Sequence, residues 1–160
     1  MNTAEIEGYA SLFGVKDMAG DIVAPGAFAR SLRDKPPGAV KLLYQHDASE
    51  PIGLLSDVYE DARGLFIAGA LNLETQRGEE AYALLLQGAL TGLSIGFNVV
   101  SAQKQGAQGR LITQIDLWEV SLVTFPMLPG AAAWPAEEAP HAGLLRTLNS
   151  ASRLFMSQGV

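Results

Sequence analysis

The sequence contains no cysteine, which excludes disulfide bonds, a thiol nucleophile and zinc sites built on cysteine. Only two histidines are present, His46 and His141, too few for a metal site with several histidine ligands. No apolar run approaches the about 20 residues that a membrane-spanning helix requires. We therefore expect no metal, no cofactor and no membrane partner.

Basic residues are also few. The chain has 11 lysines and arginines against 17 aspartates and glutamates, with a net charge of −6. A nucleic-acid surface normally requires a basic stripe, so we expect no nucleic-acid partner, although basic peptides remain compatible substrates. Residues 1–7 contain neither the basic nor the apolar region of a secretory signal, so we expect synthesis in the cytoplasm.

The residues that are present form the composition of a globular protein. The chain has 160 residues, of which 48% are hydrophobic and 18% charged, enough for one domain with a single core. Apolar periodicity predicts helices over 26–33 and 76–87, the second capped by Thr75 and ended by Gly88. Strands are predicted over 6–13, 22–23, 40–46, 52–59, 65–71, 93–101 and 110–125.

The last predicted strand is too long to be regular, so we expect a bend or a bulge within 110–125. Strands and helices do not alternate strictly along the chain. This order favours an α+β fold with a mainly antiparallel, barrel-like sheet.

The C-terminal part has a different composition. Residues 131–140 are rich in alanine and proline and are interpreted as a linker after a domain of residues 1–130. Residues 141–160 are predicted as an amphipathic helix that packs on its own domain, or as a partner-binding or processed tail. Its apolar stripe has helical spacing and comprises Leu144, Leu145, Leu148, Ala151, Leu154 and Phe155.

A serine lies between two glycines at the start of the strand predicted over 93–101. Gly92, Ser94 and Gly96 match the pattern G-x-S-x-G. On a regular strand the hydroxyl faces away from an apolar side formed by Leu93, Ile95, Phe97 and Val99. A hydroxyl beside glycines is a candidate nucleophile, which requires a base and an orienting group.

Two histidines compete as the base. An esterase would use Ser94, then Asp116 or Glu119, then His141, in that chain order. The context is inverted, however, because a helix precedes Ser94 and a strand follows it. The other base is His46, predicted at the end of a strand whose face it shares with Val40, Leu42 and Tyr44.

The orienting acid is expected in the long β-rich run. Glu119 lies in apolar sequence, where a carboxylate is costly unless it is paired. A histidine is a suitable partner, and a structural pair with Arg77 or Arg110 is the alternative. On a regular strand Glu119 shares its face with Leu117 and Ser121.

Six blocks of the sequence, taken in order, resemble the prohead (procapsid maturation) proteases of tailed bacteriophages, which are related in fold to the herpesvirus assemblins. The resemblance covers roughly residues 8–133. The blocks are Gly8–Phe13, Asp21–Phe28, Leu43–Asp47, Pro51–Gly53, Gly88–Phe97 and Leu117–Pro126.

The resemblance implies a serine endopeptidase with a β-barrel core and surrounding helices. It further implies a protein of the host cytoplasm that is packaged inside the immature capsid. Its partners would be the scaffold protein or the major capsid protein, whose scaffolding segment it cuts, and it would also cleave itself. Assemblin relatives act as dimers, so self-association is implied as well. A catalytically silent barrel that binds capsid or scaffold proteins is the alternative.

The family's motifs also imply roles for three residues. His46 matches the histidine of the Q-H-D block, Ser94 the serine of S-I-G-F, and Glu119 the acid of L-W-E-V-S. Asp116 remains the alternative to Glu119 as the third member of the catalytic triad. Backbone N–H groups beside the glycine-rich turn would hold the oxyanion, and Arg77 or Arg110 are further candidates for this role. Asp21, which belongs to the second block, is expected to lie in a turn or to cap a helix.

Overall fold

The computed structural model of the protein describes residues 1–107 and 109–138. Within these residues the helices are α1 (Ala29–Asp34) and α2 (Gln76–Leu86), and 3-10 turns cover Pro37–Ala39 and Ala136–Glu138. The strands are β1 (Thr3–Leu12), β2 (Ile22–Val23), β3 (Lys41–Tyr44), β4 (Asp47–Glu60), β5 (Gly64–Asn72), β6 (Gly92–Lys104), β7 (Arg110–Val123) and β8 (Ala132–Pro135).

In the described part of the chain, seven strands close into a barrel. The order is β7-β3-β4-β5-β1-β8-β6, and pairing of β6 with β7 completes the ring. Most neighbours are antiparallel, but β3 runs parallel to β7, as does the short β2. The predicted α+β barrel is confirmed, with the correction that the sheet is mixed and the helices are few.

The barrel interior holds the hydrophobic core. Its fully buried members come from most of the strands and include Ile6, Ile52, Ile67, Leu93 and Leu117. Each of these side chains removes its apolar surface from water, worth about 1.5–3 kcal/mol per large side chain. The core therefore fixes which face of each strand points inward, and the polar residues between core positions point outward.

Helix α2 forms where its capping signals predict it. The side chain of its N-cap, Thr75, accepts a hydrogen bond from the backbone N–H of Gly78 at 3.1 Å. The helix stops before Gly88, which has a φ of 76° that a residue with a Cβ adopts only with strain. After this helix end the chain continues into β6, the strand that contains Ser94.

The predicted linker contains a strand of the barrel. Strand β8 pairs with β1, where Glu7 lies opposite Trp134, and with β6, where Gly92 lies opposite Ala132. The linker prediction is therefore wrong for these four residues, because a short segment without clear periodicity still pairs when two strand edges lie beside it. The predicted C-terminal helix of residues 141–160 lies outside the described residues.

The bulge expected in the long strand is confirmed and lies beside Glu119. Gly96 pairs with Glu119, but the next residue, Phe97, pairs with Leu117, so Trp118 is an extra residue on β7. Leu117 and Val120 consequently both reach the core. The expectation that Leu117 shares the face of Glu119 is wrong, since it assumed regular alternation.

An ion pair between the buried carboxylate of Asp21 and the half-exposed guanidinium of Arg110 connects the loop before β2 to the start of β7. The Arg110 guanidinium donates from Nε to Asp21 Oδ1 at 3.1 Å and from Nη2 to Oδ2 at 2.6 Å. These hydrogen bonds lower the pKa of Asp21 below its ordinary value of 3.8. Asp21 thus belongs to an ion pair rather than to a helix cap.

This ion pair predicts a pH-dependent stability. A carboxyl with a lowered folded-state pKa stabilises the fold above its unfolded pKa, about 3.9, and this contribution disappears as the pH falls through the folded value. We expect Asp21→Asn to lower the melting temperature at neutral pH and to converge with the wild type in acid. Thermal melts across this range measure both curves.

The exposed pair of Arg30 with Asp34 supplies a control, because its atoms are 3.9 Å apart at the surface. Asp34→Asn should change the melting temperature little at any pH. A neutral-pH melting temperature of Asp21→Asn equal to the wild type would contradict the expected contribution of the Asp21–Arg110 pair.

Candidate active site

Ser94 lies on the outer face of β6, near the end where the strand begins. Its neighbours Leu93 and Ile95 point to the core side, as the alternation predicts. The Ser94 residue is 7% exposed and lies directly opposite Ser121 of β7. Paired residues share a face, so two serines stand side by side at this point of the barrel.

His46 lies in a tight turn rather than at the end of a strand. Tyr44 of β3 pairs with Asp47 of β4, which leaves Gln45 and His46 as a two-residue loop with φ values of 51° and 59°. Positive φ at both positions is typical of a type I′ hairpin turn, in which asparagine and glycine are the usual residues. The expected strand position of His46 is therefore wrong, and its backbone conformation requires support.

That support comes from β7. The Gln45 backbone N–H donates to the carbonyl of Leu122 at 2.9 Å. The Gln45 side chain donates to Thr124 Oγ1 at 2.6 Å and accepts from the Thr124 N–H at 3.2 Å. The His46 N–H donates to Ser121 Oγ at 3.1 Å. These bonds hold the turn against the strand that contains Glu119.

Glu119 and His46 form a close pair. Glu119 Oε1 lies 2.5 Å from His46 Nδ1, and Glu119 Oε2 accepts a hydrogen bond from Ser121 Oγ at 2.7 Å. The Glu119 side chain is 13% exposed, against 43% for the imidazole. Because the carboxylate occupies Nδ1, Nε2 is the ring nitrogen available for proton exchange with a hydroxyl.

Ser94 stands on the same face as this pair. On β7, Ser121 is opposite Ser94 and Glu119 is opposite Gly96, so all four positions share one face of the strand pair. Within the described residues, no hydrogen bond joins the Ser94 hydroxyl to His46. Catalytic hydrogen bonds are often long without substrate, so the arrangement suits a nucleophile beside its base, and the three catalytic roles stay a prediction.

The alternative acid, Asp116, is held elsewhere. Its Oδ1 lies 2.5 Å from Lys35 Nζ, and its Oδ2 accepts from Trp118 Nε1 at 3.0 Å. The hydrogen bond from Lys35, followed by that from Trp118, lowers the pKa of Asp116. The geometry therefore favours Glu119 as the partner of His46.

The two arginine candidates are also engaged with other carboxylates. Arg77 pairs with Glu50 at 3.3 Å and with Glu80 at 2.8 Å, and its guanidinium stacks 4.7 Å from the ring centroid of Tyr44. Arg110 is bound to Asp21 at the far end of β7 from Glu119. The predicted alternative of a Glu119 pair with either arginine is wrong, because Glu119 contacts His46 and Ser121 instead.

Gly96 has a steric role that the sequence pattern did not specify. A Cβ at this position would lie 2.4 Å from Glu119 Oε1 and 2.8 Å from its Cγ. The missing side chain leaves the space in which the Glu119 carboxylate lies. The second glycine of G-x-S-x-G thus leaves room for the Glu119 side chain of the neighbouring strand.

Ser121 is the site residue that sequence reasoning missed. Its spacing of two residues from Glu119 places both on one face, but nothing in the pattern indicates a hydrogen bond between them. Only the pairing of β7 with β3 and β6 reveals that it contacts both Glu119 and the His46 turn.

Among residues 1–107 and 109–138, no group of three or more histidine, cysteine, aspartate or glutamate residues is arranged to hold a metal ion. In the same part of the chain, no helix is both long and apolar enough to cross a membrane.

The barrel belongs to a fold class found in viral proteases. The protease of Kaposi's sarcoma herpesvirus, determined in complex with a hexapeptide phosphonate inhibitor, is 15% identical and matches with a TM-score of 0.55 over 93% of this chain and 77% of its own. The capsid assembly protease of bacteriophage T4 is 12% identical, with a TM-score of 0.58 over 74% of this chain and 82% of its own. These likenesses establish the shared fold.

The chain belongs to the caudovirus prohead serine protease family, whose model matches residues 1–142. The prohead protease of Enterobacteria phage HK97 is 34% identical over 123 residues, which make up 75% of this chain. The chain spans about half the length of this relative, 54%. The family assignment confirms the resemblance that the six ordered sequence blocks indicate.

Proposed function

We propose that this protein is a serine endopeptidase that acts in procapsid maturation, with Ser94 as nucleophile, His46 as base and Glu119 as the orienting acid. The observation that carries the proposal is the 2.5 Å contact between His46 Nδ1 and Glu119 Oε1, on the face that also presents Ser94. The family supports the reaction class, and the pairing of the two side chains supports the assignment of roles.

The proposed reaction is acyl transfer. His46 Nε2 takes the hydroxyl proton as Ser94 Oγ attacks the peptide carbonyl, and the resulting imidazolium gives that proton to the leaving amine. A water molecule then attacks the acyl-enzyme, with the same histidine as base, and releases the acid product and free Ser94. Glu119 holds the Nδ1–H tautomer and stabilises the imidazolium during both steps.

The proposed substrates are the scaffold protein or the scaffolding segment of the major capsid protein, together with the enzyme's own chain. This part of the proposal is supported by the family and by its phage relatives. Encounter would occur inside the immature capsid, where confinement raises the effective concentration of enzyme and substrate.

The catalytically silent barrel is the second candidate. A protein that only binds capsid components has no need for a histidine ring held by a carboxylate beside a serine. The esterase order is less suited to this fold, because Ser94 follows a helix and begins a strand. Its base, His141, lies outside the described residues.

A fluorophosphonate probe tests the nucleophile directly. The probe should label Ser94 of protein assembled with capsid protein, and Ser94→Ala should remove the labelled peptide from the mass spectrum. Ser101 is an exposed serine on the same strand, and the Ser101→Ala variant should be labelled as strongly as the wild type. Undiminished labelling of Ser94→Ala would show that another residue reacts, and assembled wild type that does not label would favour the silent barrel.

Gly96→Ala should impair catalysis without unfolding the barrel. The added Cβ would overlap the Glu119 carboxylate, so the acid must leave His46 Nδ1. A displacement of about 1 Å in a catalytic group costs on the order of 10²-fold in rate. Cleavage rates in co-assembled particles measure the loss, and melting curves report the fold.

Gly38→Ala is the matched control, since a Cβ there meets no atom within 4 Å. It should keep the wild-type cleavage rate. A Gly96→Ala variant as active as Gly38→Ala would mean that the position of Glu119 does not matter to the reaction.

A further inference from the structure

We infer that Ser121 is a positioning residue of this site: its one hydroxyl fixes both the Glu119 carboxylate and the backbone of His46. This inference rests on the proposed function. It adds a fourth side chain to the machinery, one that touches neither the substrate nor the reacting atoms.

The hydrogen bonds of Ser121 leave its hydroxyl a single orientation. A backbone N–H only donates and an ionised carboxylate only accepts. Ser121 Oγ therefore accepts from the His46 N–H at 3.1 Å and donates its proton to Glu119 Oε2 at 2.7 Å. The residue is 0% exposed, so water does not compete for either bond.

These two bonds join the parts that must stay aligned. His46 has a φ of 59°, a conformation that costs energy for a residue with a side chain, and its N–H is anchored on Ser121. Glu119 uses one carboxylate oxygen for His46 and the other for Ser121. Removing the hydroxyl frees the carboxylate to rotate and removes the hydrogen bond to the His46 N–H, while the bonds of Gln45 still hold the turn.

The same contacts argue against Ser121 as the nucleophile. Its proton is directed at a carboxylate, and its oxygen already accepts from the backbone. Ser94, directly across the strand pair, makes no such bond to Glu119 or His46 within the described residues. The two adjacent serines therefore have different roles: Ser94 reacts, and Ser121 positions His46 and Glu119.

We expect Ser121→Ala to lower kcat on the order of 10–100-fold, the range found when the hydrogen-bond partner of a metal-binding side chain is removed. KM should change little, since Ser121 lies beneath the site and is fully buried. Ser121→Thr, which keeps the hydroxyl, should recover most of the rate, and Ser121→Cys, a weaker donor of similar shape, should lie between threonine and alanine.

Ser31→Ala is a matched control for a purely structural effect. Ser31 is also buried, at 7% exposed, and its Oγ accepts from the Leu117 N–H at 2.9 Å, away from His46. Its removal should lower the melting temperature comparably while the kcat of the folded enzyme stays at the wild-type value. Particles co-assembled with capsid protein supply the rates, and melting curves supply the folded fraction.

A second readout does not depend on activity. A proton on His46 Nδ1, facing Glu119 Oε1 at 2.5 Å, should give a downfield proton resonance that Ser121→Ala shifts or broadens and Ser31→Ala leaves in place. If wild-type particles do not cleave but Ser121→Ala alone alters this resonance, the proposed function fails while the positioning role stands. Wild-type kcat and an unchanged resonance in folded Ser121→Ala would overturn the inference.

Discussion

Ser94→Ala should abolish proteolysis when it is co-expressed with the capsid or scaffold protein proposed as the substrate. The substitution removes the oxygen proposed to form the acyl-enzyme, and the loss expected for a member of such a triad is about 10⁴-fold or more. Band shifts of the capsid protein and mass spectrometry of its new N-terminus measure the effect.

The fold should survive this change. Ser94 sits in β6 through backbone pairing with β7, and its side chain points away from the core. The melting temperature of Ser94→Ala should therefore stay near that of the wild type. Ser101→Ala, on the same strand, controls for expression and assembly. Equal processing by wild type and Ser94→Ala would refute Ser94 as the nucleophile.

His46→Ala should cause a loss of comparable size, because it removes the only base that the described site offers to Ser94. Glu119→Gln should also be severely impaired, on the order of 10⁴-fold, since an amide can present its N–H to Nδ1 and select the wrong tautomer. The three defects should be strongly non-additive, because the residues act as one unit. Single and double variants in co-expression measure this directly.

A truncation separates this assignment from the esterase order. Removing the residues after 138 keeps β8 and the 3-10 turn that follows it, and eliminates His141. We expect the truncated chain to retain the catalytic base, so a small peptide substrate or the probe should still react. An active His46→Ala variant together with an inactive truncation would reverse the choice of base.

Asp116→Asn is a control for Glu119→Gln on the same strand. Asp116 binds Lys35 and Trp118 rather than His46. Its loss should therefore affect stability more than turnover. A collapse of activity in Asp116→Asn, with Glu119→Gln unaffected, would transfer the orienting role to Asp116.

The sequence alone determined the features that depend on neighbouring residues. The alternation in β6 places Leu93 inward and Ser94 outward, and the side-chain cap of Thr75 and the stop at Gly88 bound α2. Such signals are reliable because backbone geometry repeats every two or 3.6 residues. The order of the six blocks also sufficed to indicate the family.

Only the tertiary structure decided how the site is assembled. The contact between His46 and Glu119 joins residues that are 73 positions apart, and it requires β3 to run parallel to β7. The extra residue at Trp118, the left-handed turn at His46 and the strand status of residues 132–135 likewise depend on which strands become neighbours.

The physical reason is that periodicity indicates which face of a strand is buried, whereas the identity of the neighbouring strand and the position of a bulge follow from pairing across the sheet. The sequence therefore identified Ser94, His46 and Glu119 as candidates. The closed barrel brought these residues to one face and placed Ser121 among them.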